Sequence, residues 1–349
     1  MIRILLVEDS VTQREILRRL ICADSSFVIV GEARNGREAV GLVESTRPDV
    51  VLMDIHMPDM DGVTATREIM QRSPMPVVIA SASLRQEDVD LGLEALKAGA
   101  VSVIEKPQGA VLLHLEKIAP ALHAELIAAA KATVVRKRQR ARVTPSPQFF
   151  QLEGLGEVEI VGLCASTGGP PVLLEILTNL PRPFPIPILL VQHIADGFVE
   201  GFSRWLRDLT GHPVRLVKPP GETLEPGIWL SPGRRHLTLS SRRRVQLIPR
   251  SDQDIHCPSG NLLFSSMAEH AGHKGLGILL TGMGDDGAQG LLKLRKAEGR
   301  TVVQDEATSL IYGMPKVARE LGAAEVETSP EGVIQVLCEV ARRRPSTGS

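Results

Sequence analysis

Short apolar runs alternate with amphipathic stretches along the first 130 residues of the chain. The apolar runs have the length of β-strands, and stretches between them, such as Thr12–Cys22 and Gly36–Ser45, repeat apolar residues at helical spacing. The predicted strands are Ile2–Val7, Phe27–Ala33, Val50–Met53, Pro76–Ser81 and Val101–Glu105. Five βα units of this kind predict a doubly wound parallel sheet.

The second half repeats this pattern with a new set of strands. The predicted strands are Val158–Leu163, Ile186–Gln192, Val214–Val217, Gly275–Thr281 and Arg300–Gln304. The polar stretch Gly221–Arg250 interrupts them and carries turn signals at Pro226-Gly227 and Pro232-Gly233, so we expect it to form β-hairpins. The predicted fold class is therefore α/β, with two doubly wound parallel-sheet domains and a β-hairpin insertion in the second.

A basic segment separates the two halves. Residues 131–142 hold six Lys or Arg residues and no acid, and T-P-S-P follows, whose prolines disfavour both helix and strand. This composition favours a solvated linker over a docking patch. We predict domains at residues 1–125 and 154–345, joined by a linker at 126–153.

Composition excludes several classes of protein. The 40 basic and 41 acidic side chains nearly cancel, and aromatic residues make up only 3%, so we expect no nucleic-acid partner. No apolar run approaches the ~20 residues of a membrane helix, and the N-terminal M-I-R-I-L-L-V-E-D does not resemble a signal peptide. The four cysteines have no C-x-x-C spacing. We therefore expect a cytoplasmic protein without direct membrane insertion.

Charged and hydroxyl side chains stand at the carboxyl ends of four of the first five strands. Glu8 and Asp9 follow the first strand, Asp54 the third, Ser81 ends the fourth, and Lys106 follows the fifth. Ligands of open parallel sheets bind at these ends, and three carboxylates suit Mg²⁺. We predict Asp54 as a phosphoryl acceptor, with Glu8, Asp9 and Asp54 holding the metal. Lys106 and Ser81 would contact the phosphoryl oxygens. A lone acid after a strand is more often a helix N-cap, but five such residues at the strand ends favour a site.

These residues resemble a two-component receiver domain. The match includes V-E-D, M-D-I-H-M-P-D-M-D-G, the hydroxyl residue Ser81 and E-K-P. The resemblance implies a flavodoxin-like fold, Mg²⁺-dependent phosphorylation of Asp54 and a cis Lys106-Pro107 bond. Many receivers have an aromatic residue three positions before the lysine, and its ring rotates on phosphorylation. Val103 stands there, which disfavours signalling by that route.

A second candidate site follows the first strand of the second half. The turn C-A-S-T-G-G-P places Ser166 at a strand end and a helix N-terminus, where N–H groups favour negative charge. The next strand ends in His193, and a later strand leads into G-M-G-D-D-G with Asp285 and Asp286. A serine nucleophile needs a base and an acid that orients the base, so this rim predicts nucleophilic catalysis. The order Ser-His-Asp and the missing G-x-S-x-G disfavour the α/β-hydrolase fold, and the turn lacks nucleotide-binding signatures.

Four motifs resemble the catalytic domain of the chemotaxis protein-glutamate methylesterase (CheB) family. They are C-A-S-T-G-G-P, V-Q-H-I, T-G-M-G-D-D-G-A and Q-D-E-A-T-S-L-I-Y-G-M-P, and they follow the family's order behind a receiver. The resemblance implies a Rossmann-like domain with the nucleophile Ser166, the general base His193, the orienting acid Asp286 and, around the oxyanion and substrate, Thr167, Gly168 and Met283. Asp285 occupies the variable position before the acid.

The resemblance also implies an activity and partners. The family hydrolyses γ-glutamyl methyl esters on methyl-accepting chemoreceptors, releasing methanol, and often deamidates receptor glutamines. A CheA-type histidine kinase supplies the phosphoryl group to the receiver, which restricts access to the catalytic domain until it is phosphorylated. The catalytic domain uses no metal.

Departures from the family pattern concern the substrate side of the site. Asn261 stands where an aspartate is usual, Gly260 is expected to add flexibility, and I-A-D-G follows His193 in place of the common M-P-x-G. A metal site built from His256, Cys257, His270 and His273 is a disfavoured alternative, because its ligand types and spacing do not complete a set.

Three other functions stay open at this point. A non-catalytic response regulator would use its second domain as a receptor or kinase interaction module, which the intact Ser-His-Asp set disfavours. A DNA-binding regulator has only the basic linker in its favour. A serine hydrolase of small molecules is compatible with the same three residues.

Overall fold

The computed structural model describes residues 1–81, 86–106, 115–132 and 152–343. The chain divides into two compact units, Met1–Ala141 and Arg142–Ser349. Among the described residues, no helix is both long and apolar enough to cross a membrane.

The first unit is built on a five-stranded parallel sheet in the order β2-β1-β3-β4-β5. Its strands are β1 (Ile2–Val7), β2 (Phe27–Ala33), β3 (Val50–Asp54), β4 (Val77–Ser81) and β5 (Ser102–Glu105). The helices are α1 (Val11–Cys22), α2 (Gly36–Thr46), α3 (Gly62–Arg72), α4 (Gln86–Ala98) and α5 (Leu115–Ala130). Every residue of β3 and β4 is buried, as expected for central strands covered on both faces. The predicted doubly wound sheet is confirmed.

The second unit contains a seven-stranded parallel sheet in the order β14-β13-β12-β6-β7-β9-β8. Its strands are β6 (Ile160–Ala165), β7 (Pro187–Gln192), β8 (Val214–Leu216), β9 (Gly227–Leu230), β12 (Gly275–Leu279), β13 (Arg300–Gln304) and β14 (Val326–Thr328). The helices are α6 (Gly169–Thr178), α7 (Val199–Thr210), α8 (Gly260–His270), α9 (Ala288–Lys296), α10 (Met314–Glu320) and α11 (Pro330–Arg343). This second α/β domain is also confirmed.

The polar stretch Gly221–Arg250 forms one hairpin and one parallel strand. The hairpin pairs β10 (Arg235–Ser241) with β11 (Arg244–Pro249), as predicted. The prediction is wrong for β9, which joins the central sheet in parallel with β7 and β8. Its four residues, G-I-W-L, are all buried, and this apolar run is too short to stand out beside the Pro226-Gly227 turn signal. The three-residue β14 was not predicted either.

Helix α8 connects the hairpin to the rest of the second unit. Its Phe264 and Met267 are fully buried in a core that also contains Leu237 of β10 and Leu291 of α9. Burying each large apolar side chain of this kind contributes roughly 1.5–3 kcal/mol. The packing fixes α8, and the first turn of this helix reaches the candidate site.

The predicted domain limits are only partly covered by the described residues. The predicted end of the first domain at residue 125 falls inside α5, because the alanine-rich pattern continues to Ala130. Most of the predicted linker lies outside the described residues, as does Pro107 of the predicted cis Lys106-Pro107 bond. Val103, in place of the common aromatic residue, is buried in β5.

Candidate active site and acidic pocket

Ser166 follows β6, the strand of the second sheet from which the strand order runs in opposite directions. Strand β7 pairs with one edge of β6 and β12 with the other, and such a switch point opens a crevice at the carboxyl ends of the strands. The Ser166 N–H donates to the Thr281 carbonyl oxygen at 3.0 Å, which extends the pairing of β6 with β12. Helix α6 begins three residues later, after Gly168 in the left-handed region (φ 80°).

His193 lies beside Ser166 because the two strands end in register. Ala165 of β6 is opposite Gln192 of β7, and the His193 N–H donates to the Ala165 carbonyl oxygen at 3.0 Å. The imidazole Nε2 lies 2.9 Å from Oδ2 of Asp286. Since Nε2 is occupied by the carboxylate, Nδ1 is the ring nitrogen left to accept a proton.

Asp286 is a buried carboxylate with all of its acceptor capacity used. Its Oδ1 accepts from the Ser259 hydroxyl at 2.8 Å and from the Asn261 N–H at 3.0 Å. Its Oδ2 accepts from the Gly260 N–H at 2.6 Å and contacts His193. A carboxylate has about four lone-pair sites, so none is left open.

The environment keeps Asp286 ionised. Burial by itself raises a carboxyl pKa, but the hydrogen bond and charge of His193 and the N–H groups of Asn261 and Gly260 outweigh it. Together they hold the pKa of Asp286 well below its usual range. These N–H groups belong to the first turn of α8, where the helix dipole adds positive potential. The arrangement suits an acid that orients a histidine base and stabilises the protonated form of its ring.

The close approach of Gly282 to Ser166 depends on the missing side chain of this glycine. A Cβ at Gly282 would lie 2.6 Å from the Ser166 Cβ and would also overlap the sulfur of Met314. Gly282 is held there by the hydrogen bonds of its N–H to the Ile311 carbonyl oxygen and of the Met314 N–H to its own carbonyl oxygen. Packing against Ser166 therefore requires a glycine at position 282, the first glycine of the T-G-M-G motif.

We expect Gly282→Ala to lower kcat by about 100-fold or more, since a misplacement of ~1 Å at a reacting group has that effect. Gly322→Ala is the matched control, because a Cβ there meets nothing within 4 Å and adds only the strain of a positive φ (71°), away from the site. The measurement is ester turnover with circular dichroism of both variants. Equal activity of the two alanine variants would contradict the packing argument.

Backbone N–H groups around Ser166 supply candidate oxyanion donors. The Ser166 N–H is already bonded to Thr281, so it is not one of them. Within the described part of the chain, the N–H groups of Thr167, Gly168 and Met283 have no hydrogen-bond acceptor. Thr167 is buried and Met283 half-buried, so both lie at a partly dehydrated wall of the crevice.

Two residues at the site were not among the predicted site residues. The side-chain amide of Gln192 donates through Nε2 to the carbonyl oxygens of Ser166 (3.0 Å) and His193 (2.9 Å), and so connects the two strand ends. The imidazole of His256 stacks on that of His193, with ring centroids 4.9 Å apart and planes 6° apart. A polar residue ending the otherwise apolar β7 is the signal that could have indicated Gln192.

The first unit brings its predicted acidic residues together. Lys106 Nζ lies 2.6 Å from Asp54 Oδ1 and 2.7 Å from Glu8 Oε2, and all three side chains are almost fully buried. The Lys106 N–H donates to the Ser81 carbonyl oxygen at 2.7 Å, which places Ser81 at the same sheet edge. Burial, reinforced by the Asp54 charge, raises the pKa of Glu8 despite the opposing effect of Lys106.

The donor set of this pocket fits a hard divalent cation. Oxygen atoms of Glu8, Asp9 and Asp54 lie within 4.8 Å of one another, and Asp9 is exposed to solvent. Three carboxylates against one ammonium leave an excess of negative charge, and Mg²⁺ prefers oxygen ligands. The described residues do not assemble the alternative metal site: His273 Nε2 lies 3.7 Å from Glu157 Oε2, while His256 packs on His193.

The model of the CheB methylesterase family matches residues 161–337, which is half of the chain. The chain belongs to the CheB methylesterase family. A model of the response regulator receiver domain matches residues 4–116. The receiver match falls on the first α/β domain, and the methylesterase match falls on the second and covers Ser166, His193 and Asp286.

Relatives of the CheB methylesterase family match this chain almost end to end. Protein-glutamate methylesterase/protein-glutamine glutaminase 2 of Methanospirillum hungatei is 36% identical, with 99% of each chain covered. The enzyme numbered 4 of Myxococcus xanthus is 41% identical, with 90% of each chain covered. The crystal structure of the Thermotoga maritima CheB methylesterase catalytic domain matches at 31% identity and a TM-score of 0.50, covering 52% of this chain and 98% of that one.

The departures from the CheB family pattern affect packing near Ser166, His193 and Asp286. The side-chain oxygen of Asn261 accepts from the Gly290 N–H at 2.8 Å, so it joins α8 to α9 and points to neither His193 nor Ser166. The expectation that Gly260 adds flexibility is wrong. A Cβ there would overlap the sulfur of Cys164 and lie 3.2 Å from the Gly287 Cα, so close packing requires this glycine.

Proposed function

We propose that the protein hydrolyses glutamate γ-methyl esters on methyl-accepting chemoreceptors, releases methanol, and is activated by phosphorylation of Asp54. The hydrogen bond between His193 and Asp286, beside Ser166 at the switch point of the sheet, carries this proposal. The names of the full-length relatives support the substrate class. Those names also include a glutaminase, and the same nucleophile can attack the carboxamide of a receptor glutamine.

The reaction uses Ser166 as nucleophile and His193 as general base. Ser166 Oγ attacks the γ-carbonyl carbon while His193 Nδ1 takes the hydroxyl proton. The bond to the methoxy group then breaks, and methanol leaves with that proton, which gives an acyl-enzyme. Water, deprotonated by His193, hydrolyses the acyl-enzyme and releases the free glutamate. Asp286 fixes the tautomer with the proton on Nε2 and stabilises the imidazolium.

Backbone donors stabilise the tetrahedral intermediate. The open N–H groups of Thr167, Gly168 and Met283 surround the serine, and donors of this kind are strongest where water is excluded. The dipole of α6, a ten-residue helix beginning at Gly169, adds to the same positive potential. Removing a donor of this kind typically costs about 100–1000-fold in kcat.

In the receiver domain, Asp54 accepts the phosphoryl group from a CheA-type histidine kinase. Glu8, Asp9 and Asp54 would hold Mg²⁺, which supplies neutralising charge for phosphoryl transfer. Lys106 and the Ser81 hydroxyl bind the phosphoryl oxygens. The buried contact of Lys106 with Asp54 supports this assignment. We place the enzyme in the cytoplasm, where the kinase and the methylated segments of the receptors would be accessible to it.

Replacing Asp54 separates regulation by phosphorylation from the hydrolysis of the ester. We expect Asp54→Asn to lose the rise in methanol release caused by acetyl phosphate, because an amide oxygen is not a phosphoryl acceptor. Asp59→Asn is the matched control, since Asp59 is an exposed acid in the loop that follows Asp54. Methanol release is measured with and without acetyl phosphate. A normal rise in methanol release by Asp54→Asn on addition of acetyl phosphate would contradict regulation through Asp54.

A further inference from the structure

One apolar side chain of the second unit is strongly exposed next to the candidate active site. Ile255 exposes 86% of its surface, whereas every other large apolar side chain described in this unit exposes at most 39%. Single exposed aliphatic residues are common on protein surfaces, so the exposure alone means little. The location of Ile255 makes it informative, because the next residue, His256, stacks on His193.

The loop around Ile255 is anchored on both sides. Before it, the Asp254 carboxylate accepts from the Ser251 N–H at 2.6 Å and lies 3.0 Å from Nε2 of the buried His236. The Ser251 N–H and the hydrogen bond to His236 lower the pKa of Asp254 to about 2, so this anchor is ionised at neutral pH. After it, His256 packs on His193 and Ser259 donates to Asp286. The isoleucine is therefore presented to solvent by a fixed loop.

The size of a protein substrate makes contact with Ile255 difficult to avoid. A protein substrate presents its ester together with the backbone and side chains around it, and the ester must reach Ser166 beside His193. The backbone that carries the ester consequently covers the rim formed by the residues adjoining His256. A small ester that fills only the crevice has no such requirement.

We propose that Ile255 docks the apolar surface of the receptor segment that carries the methyl ester. This inference rests on the proposed function and adds a residue that determines specificity for a protein over a small ester. Docking buries the isoleucine, and burying an aliphatic side chain corresponds to roughly tenfold or more in affinity. The contact lies outside the triad, so it acts on substrate binding and leaves the chemical step unchanged.

The test compares two substrates of the full-length enzyme. We expect Ile255→Ser to raise KM for methylated chemoreceptor membranes about tenfold with kcat unchanged. Turnover of the small probe N-acetylglutamate γ-methyl ester amide should stay at the wild-type rate. Ile255→Leu, which keeps the apolar surface, should restore KM. Leu209 is an exposed aliphatic residue in the last turn of α7, and Leu209→Ser is the matched control. It should leave KM and kcat for both substrates unchanged.

The outcomes separate this inference from the proposed function. A wild-type KM of Ile255→Ser on receptor membranes overturns the docking role. An equal loss on both substrates also overturns it, because the residue would then act on the catalytic centre. If the wild-type enzyme turns over the small ester but releases no methanol from receptors, the proposed function fails, and the docking role fails with it.

Discussion

Ser166→Ala should lower kcat for methyl ester hydrolysis by roughly 10⁵–10⁶-fold, the loss seen when a serine nucleophile is removed from an intact triad. Alanine keeps the turn, since the Ser166 N–H and carbonyl oxygen, not its hydroxyl, bond to Thr281 and Gly169. What disappears is the oxygen that forms the acyl-enzyme. Single-turnover methanol release measures the rate, and labelling with an organophosphonate followed by mass spectrometry locates the nucleophile.

The matched control for this variant is Ser240→Ala. Ser240 is a half-buried serine of the hairpin strand β10 whose hydroxyl donates to the Arg244 carbonyl oxygen. It should retain wild-type activity and be absent from the labelled peptide. Activity of Ser166→Ala within tenfold of the wild type, or an organophosphonate bound elsewhere, would remove Ser166 from its proposed role.

Asp286→Asn should lower kcat by about 10⁴-fold, as in other triads that lose the orienting carboxylate. Four donors converge on this side chain, from His193, Ser259, Gly260 and Asn261. An amide presents one N–H₂ group where two of these donors require an acceptor. Histidine then loses the partner that keeps its proton on Nε2, so Nδ1 is no longer reliably free to take the serine proton. The neighbouring Asp285→Asn is the control, because Asp285 is exposed.

The same substitution has a pH-dependent effect on stability. The pKa of Asp286 is lowered on folding, so its ionised form stabilises the native state above the unfolded pKa of about 3.9. That contribution is fully present at pH 7 and decreases as the pH falls below about 4. We therefore expect the difference in unfolding free energy between wild type and Asp286→Asn to be larger at pH 7 than at pH 3.

Tryptophan fluorescence during urea unfolding measures this difference in the relevant domain. Both tryptophans of the chain, Trp205 and Trp229, lie in the second unit and are buried. Their signal consequently follows the domain that contains Asp286 and not the receiver. A difference that is constant from pH 7 to pH 3 would contradict the ionised state assigned to Asp286.

The sequence predicts the strands that bear the chemistry because each is a buried apolar run followed by a polar residue. β1, β6 and β7 are such runs, and their following residues include Glu8, Ser166 and His193. Parallel topology then brings the strand ends to one edge. β9 fails this rule, since four buried residues between two turn signals carry too little periodicity.

The supporting contacts of the site were beyond sequence reasoning. Ser259 and Asn261 reach Asp286 across 27 and 25 residues of chain, and no local pattern connects those positions. The need for glycine at position 282 follows from its closeness to Ser166, which the intervening strands determine. The engagement of the Ser166 N–H by Thr281 likewise emerges only from the register of β6 and β12.

The most direct test of the account is methanol release from methylated chemoreceptor membranes by the full-length protein, with and without acetyl phosphate. We predict release that increases with acetyl phosphate and falls to background in Ser166→Ala. No release under either condition from folded protein phosphorylated on Asp54, or equal release by Ser166→Ala, would contradict it.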